Sequence, residues 1–176
     1  EFDPFFERIA YQGVPDIRVL VFRGIPVAAM VRLPTRESDG KANLHQGGVG
    51  VGIEVASGKT TYGVCREHII DNHPDTGHPV SGILIPHWER ILEIATRCAA
   101  HAGLGYLGVD VVMDRNLGPL MLELNARPGL SIQLANGKGL LENLRYVEAL
   151  VNLPEDTESK IELAKQLGYP MASAGG

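Results

Sequence analysis

The sequence predicts an α+β fold, an antiparallel sheet of hairpins with helices packed on one face. Two observations carry this. Strand-like runs come in neighbouring pairs joined by short turns, as in Asp16–Phe22 with Pro26–Leu33 and Gly108–Met113 with Pro119–Asn125, and such pairs form hairpins. One long stretch, Pro86–Ala102, instead repeats its apolar residues at helical spacing, a stripe that has to be buried against another layer.

Taken in order, the aromatic and apolar residues of Phe2–Ile9, followed by Gln12-Gly13-Val14-Pro15, predict a short packed segment and a turn. Asp16–Phe22 alternates as a strand, Arg23-Gly24 turns the chain, and Pro26–Leu33 returns as a second strand. Leu33–Gly48 is a polar loop. Val49–Val55, a Ser57-Gly58 turn and Thr60–Arg66 read as another hairpin, and Glu67–Gly82 as a loop rich in Asn, Asp, His, Pro and Gly. In Pro86–Ala102, Trp88, Ile91, Leu92, Ala95, Cys98 and Ala99 share one side; Pro86 suits the first turn and Gly103 the end. After the last hairpin, Ala126-Arg127-Pro128-Gly129 leads to a helix over Leu140–Leu150, then a Pro-Glu-Asp-Thr linker, a short helix over Glu158–Leu167 and a disordered tail, Ala172–Gly176. The expected division is residues 1–152 as one domain and 153–176 as linker, helix and tail.

With 176 residues and 44% hydrophobic content the chain can bury a core. A net charge of −5 argues against general binding to nucleic acid, whose affinity comes from many Lys and Arg on phosphates. Apolar stretches such as Ile25–Val31 are too short to span a bilayer, and no signal pattern opens the chain; a cytoplasmic protein without a membrane partner is expected. Cys65 and Cys98 lack CxxC spacing, which argues against a disulfide framework or thiolate zinc site. Glu1 stands directly before structured-looking sequence without a methionine, so a preceding segment is expected.

Several motifs are read as structural. Gly103-Leu-Gly105-Tyr-Leu-Gly108 matches GxGxxG, but a helix precedes it and a strand follows, the reverse of a dinucleotide fingerprint. Gly58-Lys59-Thr60 resembles the end of a P-loop, yet a hairpin strand follows where a helix is needed. His68, His73 and His78 recur in one loop; binding of a soft metal is set against the tendency of loops to collect His, Asn and Pro. Gly47, Gly48, Gly50 and Gly52 either let backbone approach a phosphate or bend the sheet.

Asp110, Glu123 and Asn125 are the candidate chemistry. A hairpin centred between Asn116 and Leu117 places Asp110 opposite Glu123, at roughly 5 Å between Cβ atoms, with Asn125 two residues along on the same face. The other face is then wholly apolar: Val109, Val111, Met113, Leu120, Leu122 and Leu124. Two facing carboxylates repel, and a fold accepts that most readily with a cation between them. Two carboxylates and an amide oxygen are hard ligands suited to Mg²⁺, with Mn²⁺ as the alternative, which points to nucleotide-dependent phosphoryl chemistry. Exposed charge on a solvated strand face is the competing reading. Arg127 follows just after the ligands and could hold a phosphate or substrate carboxylate, or form a surface salt bridge.

Four segments, in order and spacing over about Val14–Leu150, resemble the C-terminal part of the ATP-grasp superfamily and, within it, the RimK-like α-L-glutamate ligases. They are Asp16-Ile17-Arg18, Ala28-Ala29-Met30-Val31-Arg32, Asn43-Leu44-His45-Gln46-Gly47-Gly48, and Gly108-Val109-Asp110 with Leu122 to Gly129. The resemblance implies an ATP-dependent carboxylate-amine ligase that forms an amide through an acyl phosphate. It implies Asp110, Glu123 and Asn125 as Mg²⁺ ligands. It places Arg18, Arg32 and Asn43 near the triphosphate or acyl phosphate, with Arg18 and Arg32 stabilising charge developing in transfer. Lys41 stands where better-known ligases carry Arg, and Arg127 replaces a small residue; both count as candidates for binding the nucleotide or substrate. The implied partners are ATP, an amino acid and a carboxylate acceptor that is a peptide, protein or small molecule, with homo-oligomers left open. The N-terminal subdomain of the ATP clamp has no counterpart, so the fragment is expected to be inactive alone. The competing expectations are a noncatalytic module that binds nucleotide or a partner protein, and a metal-binding or regulatory domain that uses the loop histidines.

Overall fold

The computed structural model describes residues 3–137 and 139–167; the expectations for Phe2 and for the tail Ala172–Gly176 fall outside them. The strands β1 (Asp16–Phe22), β2 (Ile25–Leu33), β3 (Val49–Ile53), β4 (Thr60–Cys65), β5 (His68–Ile70), β6 (Tyr106–Asp114) and β7 (Gly118–Asn125) form one sheet in the order β5-β4-β3-β2-β1-β6-β7. Every neighbouring pair is antiparallel. The α+β class and the sheet of hairpins are as the sequence predicts. The exception to sequential pairing is β1 against β6, which puts the first hairpin beside the last.

Helix α1 (Trp88–Ala102) links β5 to β6 and lies across β1, β2, β6 and β7. It buries Trp88, Ile91, Leu92, Ala95 and Ala99, the stripe read from the sequence, and ends on Gly103 in the left-handed conformation. Its start differs from the expectation at Pro86, because His87 adopts a left-handed backbone and the helix begins after it. Helix α4 (Thr157–Leu167) buries Ile161 and Ala164 and packs on α1 and β2; Lys165 reaches Glu89 of α1 at 2.8 Å. Helix α3 spans Leu141–Ala149, close to the expected bounds.

Two elements were not expected. The first is β5, inside the presumed loop, entered through Arg66 and Glu67, both at positive φ. A two-residue hairpin of that kind normally announces itself by Asn-Gly or Asp-Gly, which this sequence lacks. The second is α2 (Ser131–Asn136), too short for helical periodicity to show.

Helix α2 also explains the glycine run. A Cβ on Gly52 would sit 2.5 Å from the Ala135 carbonyl oxygen, and one on Gly50 would sit 2.6 Å from Leu44 Cδ2. These glycines let other parts of the chain close onto β3, a role outside both alternatives read from the sequence. Gly58 similarly lies under Trp88, whose Nε1 donates to the Val55 carbonyl at 2.8 Å.

The β6–β7 hairpin corrects the predicted register at its tip. Asp110 pairs with Glu123 as expected, but Asp114 pairs with Gly118 and the register shifts between Asp110 and Val111. The extra residue is a bulge at Leu122. Beyond it Val111 faces Met121 and Met113 faces Pro119, so the face of Val109, Val111 and Met113 stays apolar but takes Met121 and Pro119 in place of Leu122 and Leu120. Leu120, Met121, Leu122 and Leu124 are exposed on this edge strand.

Candidate functional site

Alternation along β1 puts Asp16 and Arg18 on one face. The ladders then place Asp16 beside Arg32 and Arg18 beside Asp110. The side chains close what the register brings together. Arg18 donates from Nε to Asp110 Oδ1 at 2.7 Å and from Nη2 to Oδ2 at 2.6 Å. Arg32 grips Asp16 in the same two-point manner, at 2.5 and 2.7 Å, and its Nη2 also reaches Asp110 Oδ2 at 2.8 Å. Asn125 Nδ2 donates to that oxygen at 3.2 Å.

The result is an alternating chain of two carboxylates and two guanidiniums in which Asp110 is 1% exposed and Asp16 8%. Planar forks matched to carboxylates are the strongest common form of this contact. Burial pushes the Asp16 carboxyl above its ordinary value, opposed by the hydrogen bonds and charge of Arg32. Burial also works against the Arg32 charge, but Asp16 and Asp110 outweigh it and hold the guanidinium above its ordinary value. Asp16 is the member of this network that sequence reasoning missed; its signal was its place two residues before Arg18.

Arg18 and Arg32 open onto a cleft of about 320 Å³, lined as well by Asn43, Leu44, His45, Gly129 and Ser131. The Asn43–His45 wall is built by a capped turn. Asn43 Oδ1 accepts from the His45 backbone N–H at 3.0 Å, the Asn43 carbonyl accepts from Gln46 and Gly48, and Gly47 closes the turn at φ 90°. Thr35 and Ser38 are buried beneath this loop, with Thr35 Oγ1 donating to the Gly47 carbonyl.

His73 is a further support. It is fully buried, with Nε2 2.9 Å from the Pro34 carbonyl oxygen, while Nδ1 accepts from the Asp75 N–H. His68 and His78 are exposed, so the three loop histidines do not converge. Among the described residues no group of three or more His, Cys, Asp and Glu could hold a metal ion.

Of the residues singled out in the sequence, Arg18, Arg32, Asp110 and Asn125 form one hydrogen-bonded network, and Asn43 lines the cleft beside the two arginines. Glu123 lies opposite Asp110 in the ladder, exposed. Lys41 and Arg127 are exposed and lie outside both the network and the cleft lining. The donor set of two carboxylates and an amide fits a hard divalent cation. Asp110 already receives the two arginines and the Asn125 Nδ2. No helix among the described residues is long and apolar enough to cross a membrane.

A family model described as "Sugar-transfer associated ATP-grasp" matches residues 1–149. Curated relatives named "Probable alpha-L-glutamate ligase" also match. The protein of Syntrophotalea carbinolica is 28% identical over 144 residues, covering 81% of this chain and 36% of the relative. That of Chromohalobacter salexigens is 30% identical over 147 residues, covering 82% and 37%. That of Marinomonas sp. is 32% identical over 133 residues, covering 75% and 33%. The chain spans about a third of the length of the curated relatives it matches.

Proposed function

The chain belongs to the sugar-transfer associated ATP-grasp family, and from that premise we propose that it contributes one wall of the active site of an ATP-dependent carboxylate-amine ligase. The observation that carries the reading is the Arg18–Asp110–Arg32 network facing a cleft. Two partly buried, oriented guanidiniums beside carboxylates are the equipment for handling phosphate charge.

In this reading a substrate carboxylate attacks the γ-phosphate of ATP, giving an acyl phosphate and ADP, and an amine then displaces phosphate to form an amide. Asp110, Glu123 and Asn125 would hold Mg²⁺ or Mn²⁺. A divalent cation bound there supplies charge neutralisation on the triphosphate. Arg18 and Arg32 present N–H groups to phosphoryl oxygens as charge develops, held in place beforehand by Asp110 and Asp16. Asn43 offers an amide at the cleft wall, and Lys41 and Arg127 add positive charge around it as the nucleotide or substrate docks. The names of the relatives favour glutamate as the amino acid joined.

A noncatalytic module that binds nucleotide or a partner is the second reading, favoured by one observation. Both oxygens of Asp110 are already engaged by Arg18, and one also by Arg32 and Asn125, as in a purely structural ion network.

The test is ADP release by the full-length protein with ATP, Mg²⁺ and a panel of amino acids extended to amino sugars, with mass spectrometry of the products. Amine-dependent ADP and an amide product support the ligase. Mg²⁺-dependent ATP binding without turnover across the panel supports the module.

A further inference from the structure

Amide formation contains a step that Arg18 and Arg32 cannot perform. An amino acid carries its amino group largely as ammonium at neutral pH, and the free amine is needed to attack an acyl carbon. Among the described residues that line the cleft, the two guanidiniums are hydrogen-bond donors only, the Asn43 amide and the Leu44 side chain have no basic site, and the Ser131 hydroxyl is too weakly basic. His45 is the imidazole in that wall, and imidazole is the side chain suited to take up a proton under these conditions.

Its position is also defended. The Asn43 side chain holds the His45 N–H, Gly47 and Gly48 close the turn behind it, and Gly50 leaves the space that seats the neighbouring Leu44. The His45 side chain is exposed and makes no hydrogen bond among the described residues. The fold spends several interactions on holding the backbone of a residue whose ring it leaves unengaged beside two arginines.

Resting on the ligase reading, we propose that His45 is the proton acceptor for the incoming amine. An imidazole nitrogen takes one proton from the ammonium, and the freed lone pair forms the C–N bond to the acyl carbon. The C–O bond to phosphate breaks with its electron pair, and the second N–H proton leaves on the departing phosphate as hydrogen phosphate. His45 returns its proton to solvent, to which it is open.

Hydroxylamine separates this step from the one before it, because it is a neutral nucleophile near pH 7 and needs no base to free its lone pair. The full-length protein, His45→Gln and His45→Asn are compared with ATP, Mg²⁺ and L-glutamate, which carries both a carboxylate and an amine. ADP and hydroxamate are measured with hydroxylamine, and glutamyl-glutamate without it. The expected result is a loss of dipeptide of about a hundredfold or more in both variants, restored in part by added imidazole, with hydroxamate within about twofold of the unsubstituted protein. Dipeptide formation unchanged in the variants overturns the role, and so does a parallel loss of hydroxamate, which marks a structural effect. No ADP and no hydroxamate from the unsubstituted protein with glutamate or with any other carboxylate of the panel overturns the ligase reading itself, and this role with it.

Discussion

Arg18 and Asp110 are partners twice over: the β1–β6 register sets them side by side, and their side chains close the same pair through two hydrogen bonds of 2.7 and 2.6 Å. The backbone therefore dictates the ion pair. Removing Asp110 takes the carboxylate from Arg18, and removing Arg18 leaves the buried Asp110 to Arg32 and Asn125 alone.

Asp110→Asn is expected to cost about 3 kcal/mol of stability, the usual scale for breaking a buried pair. Arg18→Gln is expected to cost a similar amount. The double variant should lose less than the sum, because the pair is removed together. Urea unfolding of the four proteins checks this; additive losses would mean that the two side chains act independently. In the full-length protein Asp110→Asn is also expected to abolish Mg²⁺-dependent ADP release.

Arg32→Lys keeps the charge but not the fork that spans Asp16 and Asp110. ADP release by the full-length protein is expected to fall by about a hundredfold, the scale for losing one oriented donor at developing charge. Steady-state kinetics at saturating ATP is the check, and wild-type turnover in the variant would remove Arg32 from the catalytic set.

Gly52→Ala should destabilise the fold by about 1 to 3 kcal/mol, because the new Cβ meets the Ala135 carbonyl oxygen at 2.5 Å and Thr61 Oγ1 at 2.7 Å. The strain falls on α2, whose first residue, Ser131, lines the cleft. Thermal unfolding and nucleotide affinity should therefore move together.

The His73 ring makes stability fall in acid. Burial lowers its proton affinity from the ordinary value of 6.5, opposed by the Pro34 carbonyl and by Asp75. As pH drops through 6.5 the unfolded chain takes up a proton that the folded chain refuses, so the contribution is present above 6.5 and is lost below it. His73→Asn should be less stable at neutral pH, since the packing around the ring changes, yet show a flatter pH dependence. Urea unfolding at about pH 5 and about pH 7.5 compares the slopes, which differ by at most about 1.4 kcal/mol per pH unit. Parallel slopes would assign the acid sensitivity elsewhere.

The long elements were legible because apolar patterning reports burial: α1 carries one stripe, while β1, read as alternating, is a short apolar run buried on both faces in the middle of the sheet. Elements whose reasons lie in tertiary contacts were hidden. Helix α2 is shorter than the window in which its period would show, and β5 depends on a turn built from Arg66 and Glu67 without glycine. In the site, Asp110, Glu123 and Asn125 emerged from hairpin geometry, and the bulge lies just beyond the stretch on which that geometry depends. The part Asp16 plays was missed although it stands two residues before Arg18, and His73 was read only among the loop histidines. Each acts through a partner distant in sequence, Arg32 and the Pro34 carbonyl, which the local pattern does not name.

The Leu122 bulge divides the β6–β7 hairpin into an inner part, where Asp110, Glu123 and Asn125 pair in one register, and an outer part that ends at the Asp114–Gly118 tip in another. The two parts can be edited separately. A spectroscopic label or a short inserted peptide at Asn116 would sit on the outer register, giving observers a handle whose attachment leaves the inner pairing as it is.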